Sequence, residues 1–320
     1  MRVARVGRLR LHYERAGRGE PLLLVTGFAI SAAVFEPVLE HYTPHLDCIS
    51  YDNRGAGRSS APLRPTTMAE LASDAVRLLD VLGVDSAHVY GLSMGGMIAQ
   101  EVALRFPDRV RGLVLGGTTA GGPGAQVPDL AGVAGFGSDR TVAGLRARYV
   151  GGALFSPAFR REHPDQVTMV LAHLARHRAR PQGLASHWWA VAAHDTAGRL
   201  ARIAAPTLVL HGELDALTPL SNARYLARRI PDAELAVVPG TGHAYLAEQP
   251  ELSARLLLDW LDRRRPQAGP SRSALAVRAE PLSRALAVPL SGARAWRAAA
   301  GVSSGQLRRL GRATRTGRQG

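Results

Sequence analysis

The sequence has 320 residues and a formal net charge of +14, and its hydrophobic content of 46% is that of a globular protein. The sequence contains no lysine, so arginine supplies its positive charge, which a biased codon supply explains better than selection for phosphate contacts does. Residues 266–320 hold ten arginines and one glutamate, so they contribute +9 of the net charge. The rest of the chain is only weakly basic, and we expect no nucleic-acid partner.

The sequence gives no sign of export or membrane insertion. No run approaches the roughly 18 apolar residues of a membrane-spanning helix, and residues 1–8 lack the apolar core of a signal peptide. The single cysteine, Cys48, excludes an internal disulfide. We interpret it as apolar filler of a predicted strand rather than as a catalytic thiol. These features indicate a cytoplasmic protein.

Short apolar strands alternate with amphipathic helices up to residue 115, which predicts a mostly parallel, doubly wound α/β sheet. The helix at 67–82 has both end signals, a threonine at its start and Gly83 at its end. In chain order we predict a strand pair at 3–13, a strand at 21–26, a helix at 33–42, a strand at 47–51, the helix at 67–82, a strand at 87–90, a helix at 96–106 and a strand at 110–115.

The alternation stops between residues 118 and 200. Helical patterns appear at 141–150 and 164–177, and strands resume only at 206–210 and 235–238. We therefore predict a helical insertion between two strands of the sheet.

The sequence changes again after Trp260, where alanine, arginine, serine and proline predominate. Four prolines between residues 266 and 289 prevent one long helix, and alanine side chains bury little area. We expect residues 263–320 to form a partly disordered tail. A short amphipathic lipid anchor and an arginine arm that binds nucleic acid remain the alternatives.

One motif lies at the junction of a predicted strand and a predicted helix. The run Gly91-Leu92-Ser93-Met94-Gly95 has the form of a nucleophile elbow, a turn so tight that the residues on both sides of the serine must be small. The turn lifts the serine oxygen above the sheet, and the helix start supplies unpaired amides beside it. The motif also arises by chance in glycine-rich sequences, so it needs partners.

The partners of such a serine are a base and an acid, in the chain order Ser, Asp, His. Asp215 follows the strand at 206–210, and His243 follows the strand at 235–238 on a glycine-rich loop. Open α/β sheets place their chemistry at these carboxyl ends of strands. Glu213 is the rival acid, whereas the loop after the strand at 110–115 holds no acid.

Together these motifs resemble the α/β-hydrolase fold family, and most of all its small capped members, such as 3-oxoadipate enol-lactonases and aclacinomycin methylesterase-type esterases. The resemblance covers about residues 1–262. It implies an eight-stranded core at 1–117 and 201–262 with a helical cap, or lid, at 118–200. The segments that carry it are Val25-Thr26-Gly27-Phe28, Tyr51-Asp52-Asn53-Arg54-Gly55-Ala56-Gly57-Arg58-Ser59, the Ser93 elbow, His211-Gly212-Glu213-Leu214-Asp215 and Gly242-His243.

The resemblance also assigns roles beyond the triad. It implies that the backbone amides of Phe28 and Met94 form the oxyanion hole, although Thr26 stands where many relatives have histidine before the loop glycine. Within the cap, His187, Trp188 and Trp189 are candidates for a pocket wall, because aromatic side chains offer wide apolar contact. Packing of the cap on the sheet explains the same three residues equally well.

These inferences favour a serine hydrolase that cleaves a small to medium carboxylic ester or lactone, with no metal or organic cofactor. Ser93 would be the nucleophile, His243 the base and Asp215 the acid that orients the base. Two alternatives use the same triad: cofactor-free perhydrolysis of the haloperoxidase type, and hydrolysis of a carbon–carbon bond. A ligand-binding receptor that retains the triad is the alternative outside enzymes.

Overall fold

The computed structural model describes residues 2–61, 64–126, 150–176 and 179–265. Nearly all of the predicted helix at 141–150 lies outside the described residues, as does the predicted tail from residue 266 onward. Within the described part, no helix is long and apolar enough to cross a membrane.

The structure has the strands β1 (Arg2–Val6), β2 (Leu9–Gly17), β3 (Glu20–Val25), β4 (Leu46–Tyr51), β5 (Ala87–Leu92), β6 (Val110–Gly116), β7 (Thr207–Gly212) and β8 (Ala233–Val238). These eight strands form one sheet in the order β1-β2-β4-β3-β5-β6-β7-β8. Strand β2 pairs antiparallel with β1 and β4, and all other pairs are parallel. The parallel strands β4, β5 and β7 are buried along their whole length, which explains their continuous apolar sequences.

Helices cover both faces of the sheet, so two apolar clusters form, one on each face. The predicted doubly wound α/β sheet is confirmed. The named α-helices are α1 (Glu36–Tyr42), α2 (Met68–Val81), α3 (Met94–Arg105), α4 (Pro157–Glu162), α5 (Pro164–Arg176), α6 (Pro181–Ala192), α7 (Leu220–Arg229), α8 (Tyr245–Glu248) and α9 (Pro250–Arg264). Short 3-10 helices lie at Ala32–Phe35, Pro107–Arg109, Gly122–Gly124 and Ala197–Arg202.

The end signals of α2 act as the sequence predicts. Glu70 N donates to Thr67 Oγ1 at 3.2 Å, and Thr67 N donates to Glu70 Oε2 at 2.9 Å, so the two residues form a capping box. The helix ends before Gly83, whose φ of +68° suits a residue without a Cβ.

Helix α3 begins at Met94, two residues before the predicted start at 96. The difference arises because β5 runs on to Leu92 and the chain turns within the single residue Ser93. Gly95 and Gly96 have low helix propensity, but their small size is needed where α3 starts against the sheet. The predicted helix at 33–42 also differs, since its first turn is the 3-10 helix Ala32–Phe35.

The described helices between β6 and β7 form the predicted insertion. They build a third apolar cluster, which includes Phe155, Phe159 and Val170, and this cluster packs against Leu217 and Ala244 of the loops that follow β7 and β8. The insertion therefore contacts the carboxyl edge of the sheet, where Asp215 and His243 lie.

Candidate active site

Ser93 joins β5 to α3 in a backbone conformation that few residues with a side chain adopt. Its φ is +57° and its ψ is −120°, the strained geometry of a nucleophile elbow. Three hydrogen bonds hold the turn: Ser93 N donates to Gly116 O (2.7 Å), Gly96 N to Ser93 O (2.8 Å), and Thr118 Oγ1 to Ser93 O (2.7 Å). The backbone of Ser93 is thus fixed, and its side chain is half-buried.

Glycines around Ser93 allow three segments to approach closely. A Cβ at Gly91 would overlap the carbonyl of Gly95, and a Cβ at Gly95 would overlap the carbonyl of Val25. A Cβ at Gly27 would lie 3.2 Å from Ser93 Cβ. The requirement for small residues at the elbow, predicted from the motif, therefore has a steric cause on both sides of the serine.

His243 and Asp215 form a buried pair at the same edge of the sheet. His243 Nδ1 donates to Asp215 Oδ2 at 2.7 Å, and the two residues are only 6% and 5% exposed. Gly117 packs directly against the His243 ring, since a Cβ at this position would lie 3.2 Å from His243 Cε1. Within the described residues no hydrogen bond joins Ser93 Oγ to His243, but both residues line one cavity.

Asp215 is held on its other oxygen by the loop that follows it. The amides of Leu217 and Thr218 donate to Asp215 Oδ1 at 2.9 and 2.7 Å. His211 Nε2 donates to Thr218 O at 2.7 Å and lies 3.4 Å from Asp215 Oδ2. The rival acid Glu213 is exposed and accepts a hydrogen bond from Gly240 N instead. The geometry thus distinguishes the two acids.

Phe28 and Met94 carry two backbone amides near Ser93. Met94 is the first residue of α3, so its amide has no partner within the helix. Among the described residues, neither Met94 N nor Phe28 N donates a hydrogen bond. Because Gly27 contacts the Ser93 side chain, the loop that carries Phe28 lies beside the elbow.

The loop from Gly27 to Ala32 is anchored to the segment after β4. Asn53 Nδ2 donates to both O and Oγ1 of the buried Thr26, each at 3.0 Å. Ala32 N donates to Asp52 Oδ1 at 2.7 Å. These bonds explain why a threonine serves at position 26, since its hydroxyl accepts from an amide of the neighbouring loop.

The cavity beside Ser93 has a volume of about 570 Å³, within the range of small-molecule sites. Its described lining is mostly apolar and contains no arginine. The charged and titratable residues of that lining are His194, Asp195 and His243. Aliphatic and aromatic residues come from both the sheet loops and the insertion, among them Phe28, Ile30, Met97, Leu154, Val170, Leu174, Trp188, Val191, Leu217 and Leu246.

The three residues of the insertion that were expected at the pocket wall do not share one environment. Trp188 lines the cavity, and its ring centroid lies 5.2 Å from that of Phe28. Trp189 is 58% exposed, and His187 is fully buried outside the lining. The expectation is corrected for His187 and Trp189, because successive helix residues point about 100° apart and cannot all face one cavity.

Sequence reasoning missed Glu248, a buried carboxylate beneath the His243 loop. Its Oε1 accepts from Gly242 N at 2.9 Å and from Ser156 N at 3.0 Å, so it ties the His243 loop to the helical insertion. Ala244 N strengthens the same junction by donating to Leu154 O at 2.7 Å. In the sequence, the only sign of the Glu248 contacts is the presence of an acid five residues after His243.

We expect Glu248→Ala to lower the free energy of unfolding by roughly 2 kcal/mol, because it leaves buried amide donors unpaired. Glu248→Gln is the matched control, since its carbonyl oxygen can accept from both amides, and it should lose less than half as much. Urea unfolding of the three proteins measures the difference. Equal losses in the two variants would contradict this account of Glu248.

No group of three or more His, Cys, Asp or Glu side chains in the described part of the chain is arranged to hold a metal ion. His243 and Asp215, two residues of types that can ligate a metal, are hydrogen-bonded to each other.

Residues 20–148 match the model of the alpha/beta hydrolase fold family, and residues 178–262 match a TAP-like protein model. RutD of Azorhizobium caulinodans, provisionally named a carbamate hydrolase, is 33% identical over 81% of this chain and 97% of the relative. 3-Oxoadipate enol-lactonase 2 of Acinetobacter baylyi is 28% identical over 75% of this chain and 89% of its own length.

Among solved structures, a thermophilic esterase from Thermogutta terrifontis superposes with a TM-score of 0.70 at 30% identity, covering 80% of this chain and 94% of the esterase. The family resemblance predicted from the sequence is confirmed by these matches. The chain belongs to the α/β-hydrolase fold family and is an enzyme of its hydrolase class.

Proposed function

We propose that this hydrolase cleaves a carboxylic ester or lactone through an acyl-enzyme, with Ser93 as nucleophile, His243 as base and Asp215 as the acid that orients the base. The observation that carries the proposal is the 2.7 Å hydrogen bond from His243 Nδ1 to Asp215 Oδ2 beside the cavity that Ser93 lines. Asp215 fixes the proton on Nδ1, which leaves Nε2 free to accept the serine proton.

The reaction follows from these roles in two halves. His243 Nε2 takes the proton of Ser93 Oγ as the oxygen attacks the acyl carbon, and Asp215 stabilises the imidazolium that forms. The imidazolium returns this proton to the leaving alkoxide. The alcohol of an ester then departs, whereas the alcohol of a lactone stays attached to the acyl group. Water, deprotonated by His243 in the same way, then attacks the acyl carbon. The imidazolium gives its proton to Ser93 Oγ as the bond between Oγ and the acyl carbon breaks, and the acid is released.

The negative charge of each tetrahedral intermediate is assigned to the amides of Phe28 and Met94. Both amides lack an acceptor among the described residues, and the Phe28 loop contacts Ser93 through Gly27. Donors of this kind are worth about 3 kcal/mol each in the transition state, because they point at charge that only then develops.

The cavity favours an uncharged substrate with an apolar acyl group. Its described lining holds no arginine to pair with a carboxylate, and Asp195 would repel one. The cavity volume of about 570 Å³ far exceeds the volume of a carbamate molecule. The size of the cavity and its apolar lining therefore support a larger ester or lactone as substrate. Esterase and lactonase activity are named for two of the matched proteins.

We also propose the division of the chain that goes with this function. Residues 1–117 and 201–262 form the catalytic core, and residues 118–200 form a cap whose side chains complete the cavity. Leu154, Val170 and Trp188 support this assignment, because they belong to the insertion and line the cavity together with Ser93. Such a cap excludes water from the charges that develop during acyl transfer.

A fluorophosphonate probe tests the proposal, because it phosphonylates only an activated serine. Wild-type protein should gain one probe mass and release p-nitrophenol from esters of medium acyl length. Ser93→Ala should do neither, while Ser73→Ala, which alters a serine on α2 bonded to Ala69 O, should behave as wild type. Wild-type protein that neither labels nor turns over would refute the serine hydrolase assignment.

A further inference from the structure

His187 of α6 connects the helical insertion to two loops of the core. The side chain is fully buried. Its Nε2 lies 2.8 Å from Arg54 O, and its Nδ1 lies 3.1 Å from Ala29 N. A carbonyl oxygen only accepts, so Nε2 carries the proton and Nδ1 accepts from the Ala29 amide. The neutral imidazole of His187 therefore donates one hydrogen bond, to Arg54 O, and accepts another, from Ala29 N.

Burial lowers the pKa of His187, which keeps this ring neutral at neutral pH. A neutral ring is needed, because protonation of Nδ1 would remove the acceptor of the Ala29 amide. Within the described part of the chain, no other group accepts from Ala29 N.

The backbone of Ala29 is strained, so the loop needs the hydrogen bond to His187 at this residue. Its φ is +55°, a left-handed conformation that is unfavourable for a residue with a Cβ, and Ser93 is the other described non-glycine residue with positive φ. Strained backbone persists when the surroundings hold it. The loop is held at Ala29 by His187 and at Ala32 by Asp52 Oδ1.

Phe28, the residue directly before Ala29, packs against the same helix. Its ring centroid lies 5.2 Å from that of Trp188 and 6.0 Å from that of His187, both in edge contacts. Helix α6 thus holds the ring of Phe28 and, through His187, the backbone that follows it. These two contacts restrain the Phe28 side chain and the peptide group that follows it.

We propose that His187 is a positioning residue that aims the Phe28 amide at the oxyanion through its hydrogen bond with Ala29. This inference rests on the proposed serine hydrolase function. It makes the insertion part of the catalytic machinery, because a helix that lines the pocket also sets one of the two oxyanion donors. Displacement of such a donor by about 1 Å lowers turnover without weakening ground-state binding.

Two amide variants separate the bonds that His187 makes. His187→Asn places an acceptor near the position of Nδ1 and loses the donor to Arg54 O, whereas His187→Gln keeps a donor near Nε2 and loses the acceptor for Ala29 N. His187→Phe keeps the volume and loses both bonds. We expect kcat to fall roughly 10- to 100-fold in the Gln and Phe variants and less than about 3-fold in the Asn variant.

The measurements are kcat and KM with a p-nitrophenyl ester, and Ki for a trifluoromethyl ketone, which forms a serine hemiketal whose oxygen occupies the oxyanion hole. We expect Ki to rise in parallel with the loss of kcat, and KM to stay within about 2-fold. Melting temperatures identify any unfolded variant. If an amide variant does not fold, His187→Phe tests the inference, because its Ki should rise while its KM stays nearly unchanged.

Three results would overturn the inference. The first is a set of three variants with wild-type kcat and Ki. The second is equal losses in the Asn and Gln variants, which would show that the loss does not follow the bond to Ala29. The third is a rise in KM that matches the rise in Ki, which would indicate pocket damage. A wild type that neither labels nor turns over defeats the proposed function itself, and is thus distinct from all three.

Discussion

Asp215→Asn should lower kcat by about 10⁴-fold while the protein remains folded. The asparagine carbonyl can still accept from the amides of Leu217 and Thr218, which now bond to Asp215 Oδ1. Its NH2 group then faces His243 Nδ1, where the carboxylate oxygen lies 2.7 Å away in the native protein. Histidine accepts this bond only with its proton on Nε2, so the ring cannot take the proton of Ser93.

Glu213→Gln is the matched control for this change. Glu213 lies two residues from Asp215 on the same loop, but it is exposed and its carboxylate accepts from Gly240 N. We expect kcat to stay within about 2-fold of wild type, because glutamine also offers an acceptor to Gly240. Steady-state kinetics on the two variants, with circular dichroism to check the fold, makes the comparison. A large loss in the Glu213 variant alone would exchange the roles of the two acids.

The site could be predicted from the sequence because its residues follow strands. Parallel strands bring their carboxyl ends to one edge, so Ser93, Asp215 and His243 were placed together by their positions after β5, β7 and β8. The glycines of the elbow added a steric requirement that few other turns share. Local pattern and sheet topology therefore led to the same three residues.

The residues of the helical insertion could not be placed in the same way, because an insertion has no sheet register to fix it. Helix α6 is apolar around much of its circumference, so the sequence does not tell which of His187, Trp188 and Trp189 faces the cavity. The bond from Ala29 to His187 spans 158 positions, and Glu248 joins segments 92 positions apart. Such contacts depend on how the insertion docks, which no local pattern encodes.

His194→Met should reduce the loss of stability that the protein shows on acidification. His194 is 5% exposed, and neither ring nitrogen has a hydrogen-bond partner among the described residues. Burial, aided by the charge of Arg199, lowers the pKa of His194 to about 4 against the opposing effect of Glu101 and Asp195. The folded protein therefore keeps this ring neutral over a range in which the unfolded chain, with an ordinary histidine pKa near 6.5, binds a proton.

The low pKa of His194 in the folded state makes the protein less stable at acid pH. Between pH 6.5 and about 4 the unfolded state binds more protons than the folded state, so the free energy of unfolding falls as the pH falls through this window. The difference of the two pKa values corresponds to about 3 kcal/mol for His194 alone at the acid end. Above pH 7 both states are neutral, and the native stability has no contribution from this titration.

Urea unfolding from pH 7.5 to pH 4.5 measures the effect. Methionine fills a similar volume without a titrating group, so the variant should be at least as stable as wild type at pH 7.5, since it also removes an unpaired polar ring. It should then lose less stability than wild type at each step below pH 6.5. His45→Gln, which removes an exposed histidine, should follow the wild-type curve. Parallel curves for wild type and His194→Met would show that the buried ring of His194 is not a source of the acid sensitivity.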